Sequence, residues 1–205
     1  MNDMDVNALR EAIRPYMDER RYRHTLGVER EMRWLCASLS PSLALKASVA
    51  ALLHDITKCL SYGEQLSFCE ENGIPVFPED LRSPPLLHAK TGVCFAKKHF
   101  SGVMTEDVAA AIASHTTGAS PLSLLGAMLF VADFTEEGRS FPDCVTLRAF
   151  LHSRPLDGAD GMTHFKEVLL RCLRFTIDEL LREGKLIAPA TVVTYNTVLA
   201  RETLF

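Results

Sequence analysis

The apolar positions of this chain repeat with a helical period almost from end to end. Val28, Met32, Leu35, Cys36 and Leu39 form one stripe, and Phe165, Val168, Leu169, Cys172, Leu173, Thr176 and Leu180 form another. No stretch alternates as a strand would, so the pattern predicts an all-α bundle of about eight to ten helices. Ser40-Pro41 and Ser120-Pro121 read as an N-cap followed by proline at the first helical position. Gly73, Gly118 and Gly184 suit the left-handed residue just past a helix end. The stretch "IPVFPEDLRSPP", Ile74 to Pro85, is rich in proline and reads as a surface loop. The chain carries no internal repeat and no low-complexity segment. Its 205 residues support a single domain, with a core over about residues 21–140 and a C-terminal helical extension over about 141–205.

Two apolar runs end in a way that burial alone does not explain. "ALKASVAALL" leads straight into His54-Asp55, and "LLGAMLFVAD" ends on Asp133. A carboxylate there meets the negative end of the helix macrodipole and also carries a desolvation cost, so a cation must hold it. Lys58, one turn beyond Asp55, can serve one of these ends but leaves His54 and Asp133 unexplained. Further histidines fall in related places. His24 lies on the face continued by Val28, Met32 and Leu35, His88 follows the proline loop in "PPLLHAKTG", and His115 closes an alanine-rich helix in "AAAIASHTTG". Any one of these alone reads best as a hydrogen-bonded core histidine or a capping aspartate. Four histidines and two aspartates together point to a shared centre. His99, His152 and His164 lie in polar surroundings and read as surface residues.

A donor set of imidazole and carboxylate without thiolate suits iron, manganese, zinc, cobalt or nickel, and argues against cuprous copper, an iron–sulfur cluster or a calcium site. Successive helical residues diverge by about 100 degrees, so His54 and Asp55 can serve one centre only if the helix end loosens. An aspartate has two oxygens and can bridge two ions. Such a pair suits hydrolysis of a phosphate ester or anhydride.

The formal net charge of −4 and pI near 6.0 give no broad basic footprint for nucleic acid, so any phosphate-binding charge must be local. The opening "MNDMDVNALREA" lacks the features of a signal peptide, and no apolar run reaches membrane-spanning length, which places the expected location in the cytoplasm. The six cysteines form no C-x-x-C pair and indicate neither a disulfide framework nor a thiolate metal site.

The order His24, His54-Asp55, His88, His115, Asp133 in an all-helical chain resembles the HD-domain metal-dependent phosphohydrolases. The words "RRYRHTLGV", "LLHDITK", "LLHAKTG", "SHTTG", "LSLL", "VADFTEEGRSFP" and "TVVTYNTVL" resemble the YqeK branch, bacterial enzymes that hydrolyse diadenosine tetraphosphate symmetrically into two ADP. The likeness runs from about Arg21 to Leu199. It implies that His24, His54, Asp55 and Asp133 hold one metal ion and that Asp55, His88 and His115 help to hold a second, with iron the usual metal. It further implies catalytic roles for Asp55, Lys58 and Arg139, and substrate contacts at Arg21, His24, Lys58, Thr116, Thr117 and Arg139. Two features depart from the family words: Glu137 stands where proline is usual, and the residues around Lys58 are less typical. Other HD-type readings stay open at this level, namely a nucleotidase or phosphodiesterase acting on another nucleotide, as does a non-catalytic nucleotide-binding protein. A homodimer is equally open.

Overall fold

A computed structural model describes residues 6–201. Eleven α-helices are present among the described residues: α1 (Val6–Ile13), α2 (Glu19–Leu39), α3 (Ala44–Leu53), α4 (Tyr62–Glu71), α5 (Pro78–Arg82), α6 (Leu87–His99), α7 (Glu106–Ser114), α8 (Leu124–Thr135), α9 (Pro142–Leu151), α10 (Gly161–Arg182) and α11 (Pro189–Ala200). There is no strand among them, as the helical period requires.

The helix count exceeds the sequence expectation because the proline-rich stretch is less irregular than it reads. Pro78 opens α5 and Pro84 opens a single 3-10 turn, Pro84–Leu86, each at the first helical positions, where a missing N–H costs nothing. The Ser-Pro steps divide differently. Ser40 precedes the 3-10 turn Pro41–Leu43 but forms no side-chain cap. Ser120-Pro121 does not start a helix: α8 begins three residues later, capped by the Ser123 hydroxyl, which accepts the Gly126 N–H at 3.1 Å. Gly73, Gly118 and Gly184 do adopt positive φ, at 64°, 75° and 62°.

The centre of the bundle is α3 and α8. α3 buries every residue from Ala47 to Leu53, and α8 every residue from Leu125 to Ala132. Helices apolar on all sides must be enclosed by others, and α2 and α7 pack against both of them. α6 lies on α7, α9 and α10 lie on α8, and α11 lies on α10. One apolar core continues from Leu9 to Val198. Thr194 of α11 donates to the Ala119 carbonyl at 3.1 Å, and a Cβ on Gly118 would fall 2.5 Å from the Thr194 hydroxyl oxygen. A side chain at Gly118 would push α11 off the loop that follows His115.

Candidate metal centre

Five segments deliver the six expected donors to one place. His24 projects from the second turn of α2, His54 and Asp55 follow the end of α3, His88 sits in the first turn of α6, His115 follows α7, and Asp133 lies in the last turn of α8. The chain after Leu53 loosens as the adjacent pair requires. Ile56 N–H bonds to Leu53 O, Lys58 N–H to Asp55 O and Leu60 N–H to Thr57 O, so the backbone tightens to i+3 turns. Thr57, buried in this stretch, donates to the His88 carbonyl at 3.2 Å and ties it to α6.

Asp55 is the hinge of the arrangement. Its Oδ2 lies 3.4 Å from His54 Nε2 and 3.7 Å from His24 Nε2, while its Oδ1 lies 3.1 Å from His88 Nε2 and 3.7 Å from His115 Nε2. Asp133 closes the first group, with Oδ1 3.0 Å from His24 Nε2 and 4.0 Å from His54 Nε2. His54, Asp55, His88 and His115 are buried, and His24 and Asp133 are half-buried toward the opening.

All four imidazoles are turned the same way. Nδ1 of His54 donates to Ala51 O at 2.7 Å, that of His115 to Ile112 O at 2.7 Å, that of His88 to Pro85 O at 2.5 Å, and that of His24 to Glu136 Oε1 at 3.1 Å. A carbonyl or carboxylate can only accept, so each Nδ1 carries a proton, and in the neutral ring Nε2 is left as a lone pair turned to the centre. His88 and His115 Nε2 therefore face each other 3.0 Å apart, lone pair to lone pair. Burial pushes the His88 pKa down to about 4, which keeps that ring neutral near pH 7. The buried Nε2 atoms of His24 and His54 have no hydrogen-bond partner among the described residues. Orphaned nitrogens and opposed lone pairs around two carboxylates fit divalent cations. Two triads, His24-His54-Asp133 and His54-Asp55-His115, have the spacing to hold an ion each.

Residues 21–138 match the HD domain family, spanning every one of these donors. The chain belongs to the HD domain family. This HD domain is 31% identical to the symmetrical bis(5′-nucleosyl)-tetraphosphatase of Halalkalibacterium halodurans, an alignment covering 93% of this chain and 95% of the relative. The protein of the same name from Bacillus subtilis is 27% identical, with 92% and 94% covered. A crystal structure of a Clostridium acetobutylicum protein, described as an HD superfamily hydrolase involved in NAD metabolism, superposes with a TM-score of 0.82 at 29% identity and covers 96% of this chain and 97% of that one.

Three cations crowd the HD centre. Arg21 Nη1 lies 2.5 Å from Asp55 Oδ2, and Arg139 Nη2 lies 2.5 Å from Asp133 Oδ1 while its Nε donates to the Asp133 carbonyl. Lys58 forms no ion pair with Asp55 among the described residues. Its Nζ lies 3.1 and 3.3 Å from the two ring nitrogens of His88. The cation against Asp55 is thus Arg21, from another helix, and not the lysine one turn away. Burial raises the carboxyl pKa of Asp55 and Asp133, but the imidazoles around Asp55 and the Arg139 guanidinium beside Asp133 outweigh it, and both stay well below the usual range. Burial lowers the Lys58 pKa. Thr116 lines the cavity beside His115 and Asp133, whereas the Thr117 hydroxyl turns to the Gly118 carbonyl at 3.2 Å.

His164 departs from its expected surface position. It is buried, donating from Nε2 to Leu151 O at 3.1 Å with its ring against Phe150, because its neighbours on α10 are the apolar stripe and only the residues around them are polar. His152 and His99 do lie near the surface, the first beside Glu31 and the second stacked on Phe95. Sequence reasoning passed over Glu136. It is buried, accepts the His24 Nδ1–H and the Gly138 N–H, and occupies space that exists because residue 27 is glycine: a Cβ there would lie 2.2 Å from Glu136 Oε2. The available signal was a second acid three residues beyond Asp133.

Proposed function

We propose that this HD-domain protein is a symmetrical bis(5′-nucleosyl)-tetraphosphatase, hydrolysing diadenosine tetraphosphate to two ADP. The observation that carries this reading is the division of Asp55 between two groups of imidazoles, Oδ2 toward His24 and His54 and Oδ1 toward His88 and His115. His24, His54, Asp55 and Asp133 would hold one divalent ion, and Asp55, His88 and His115 the other, with iron the metal of choice. Bound there, the ions would supply Lewis acidity toward a phosphoryl oxygen and acidify water.

The chain supplies the rest. The backbone carbonyls and Glu136 fix the imidazole tautomers, so no ring must reorient during turnover. Arg21, Lys58 and Arg139 surround the centre with positive charge, and each can pass from its present partner to a phosphate oxygen as substrate enters. Arg139 offers a bidentate fork and Lys58 a point charge. Cleavage at the middle anhydride breaks the bond between the second and third phosphates, adds water across it and leaves two identical nucleoside diphosphates.

Chromatography of the products of diadenosine tetraphosphate tests the reading. ADP as the only nucleotide product supports it, and AMP with ATP overturns it. Metal analysis of the freshly purified protein, expected to give two ions per chain with iron predominant, tests the assignment of the centre.

A further inference from the structure

Two cavities open from the metal centre, on either side of Arg139. One, of about 570 Å³, starts at His115 and Asp133 and is walled by Phe130, Phe134, Phe175 and Thr116. The other, of about 890 Å³, starts at His24 and is lined by Arg20, Arg21, Arg23 and Arg30. Arg139 and Phe141, the latter 66% exposed, line both.

The two differ in chemistry. The first offers aromatic faces beside the donors, as a nucleoside base requires, and is lined further by Asp143, Glu179 and Arg182. The second gathers five guanidiniums on a protein of net charge −4. Of the three carboxylates lining it, Glu136 is committed to His24, and the other two form exposed pairs, Glu19 with Arg23 and Glu137 with Arg30. Exposed pairs of this kind are weak and exchange readily for a phosphate. Arg20 is exposed and has no ion-pair partner among the described residues.

Resting on the hydrolase reading above, we propose that the arginine cavity is a second nucleotide subsite. It takes the phosphates of one nucleoside diphosphate half of a dinucleoside polyphosphate, while the aromatic cavity seats the nucleoside of the other half. The substrate then spans the centre, and a mononucleotide fills one cavity only. The arginines thereby select for two-headed substrates.

Binding to the metal-loaded protein, measured by calorimetry, tests this without turnover. The probes are ADP and an analogue of diadenosine tetraphosphate with a methylene bridge between its second and third phosphates. The double variant Arg20→Ala/Arg23→Ala changes only exposed side chains. It is expected to weaken the analogue by about tenfold and ADP by less than about twofold. Phe175→Ala should weaken both. A control, Arg154→Ala/Lys185→Ala, removes two exposed charges outside both cavities and should change neither. Unchanged analogue binding in the arginine variant, or an equal loss for ADP, or the same loss in the control, overturns the subsite. Failure of wild-type protein to produce ADP from diadenosine tetraphosphate would instead overturn the functional reading, so the two failures are separate.

Discussion

Glu136 Oε1 accepts the Nδ1–H of His24 at 3.1 Å, the one imidazole of the centre that is backed by a carboxylate and not by a backbone carbonyl. A negative partner raises the basicity of the opposite nitrogen and locks the ring. Glu136→Ala should therefore weaken metal binding by about 10–100-fold, while Glu136→Gln, whose amide oxygen can still accept, should retain more of it. Gly27→Ala should produce a similar defect by displacing Glu136. In the Glu136→Ala background the same change should cost little, a coupling that metal titration of the four proteins would measure.

Five alanine substitutions divide into three classes of outcome. His54→Ala and Asp55→Ala should lose bound metal together with turnover, since His54 lies within reach of both triads and Asp55 faces both groups. His99→Ala and His152→Ala should stay close to wild type in both. His164→Ala should keep its metal but lose about 1–3 kcal/mol of stability, because it empties a buried site and strands the Leu151 carbonyl. Denaturant titration beside metal analysis separates the classes.

Removing the metal should lower the melting temperature. Asp55 and Asp133 end apolar helices with opposed lone pairs around them, and a ligand held only by the folded state adds to its stability. Identical melting curves before and after verified chelation would contradict a buried centre.

Lys58→Ala and Arg139→Ala should slow turnover by about 100-fold or more with metal content intact, because these side chains meet phosphate charge. Arg139→Lys should recover little of the rate, since a fork becomes a point charge. Steady-state kinetics with parallel metal analysis checks both.

Thiol labelling reports burial directly. Cys59 is exposed, whereas Cys172 is enclosed, and burial pushes its thiol well above the usual range. Alkylation near pH 8 followed by mass mapping should mark Cys59 first and leave Cys172 unreacted until the protein unfolds, since only the thiolate reacts. Rapid native-state labelling of Cys172 would contradict the packing of α10 on α8.

The sequence by itself determined that the chain is helical, because an apolar stripe at period 3.6 is a property of each helix alone. It also singled out His54, Asp55 and Asp133, because an acid at the end of an apolar helix is anomalous within its own few residues. Other features lay beyond that range. Whether His88 and His115 face the same oxygen of Asp55, whether Glu136 reaches His24, and whether His164 turns inward depend on how α2, α6, α7, α8 and α10 cross, which no single helix encodes. Lys58 shows the limit most clearly. One turn of helix put it within nominal reach of Asp55, but Arg21 from α2 holds that carboxylate and Lys58 lies against His88. Local spacing names the groups that need a cation, and the packing of distant segments decides which cation meets them.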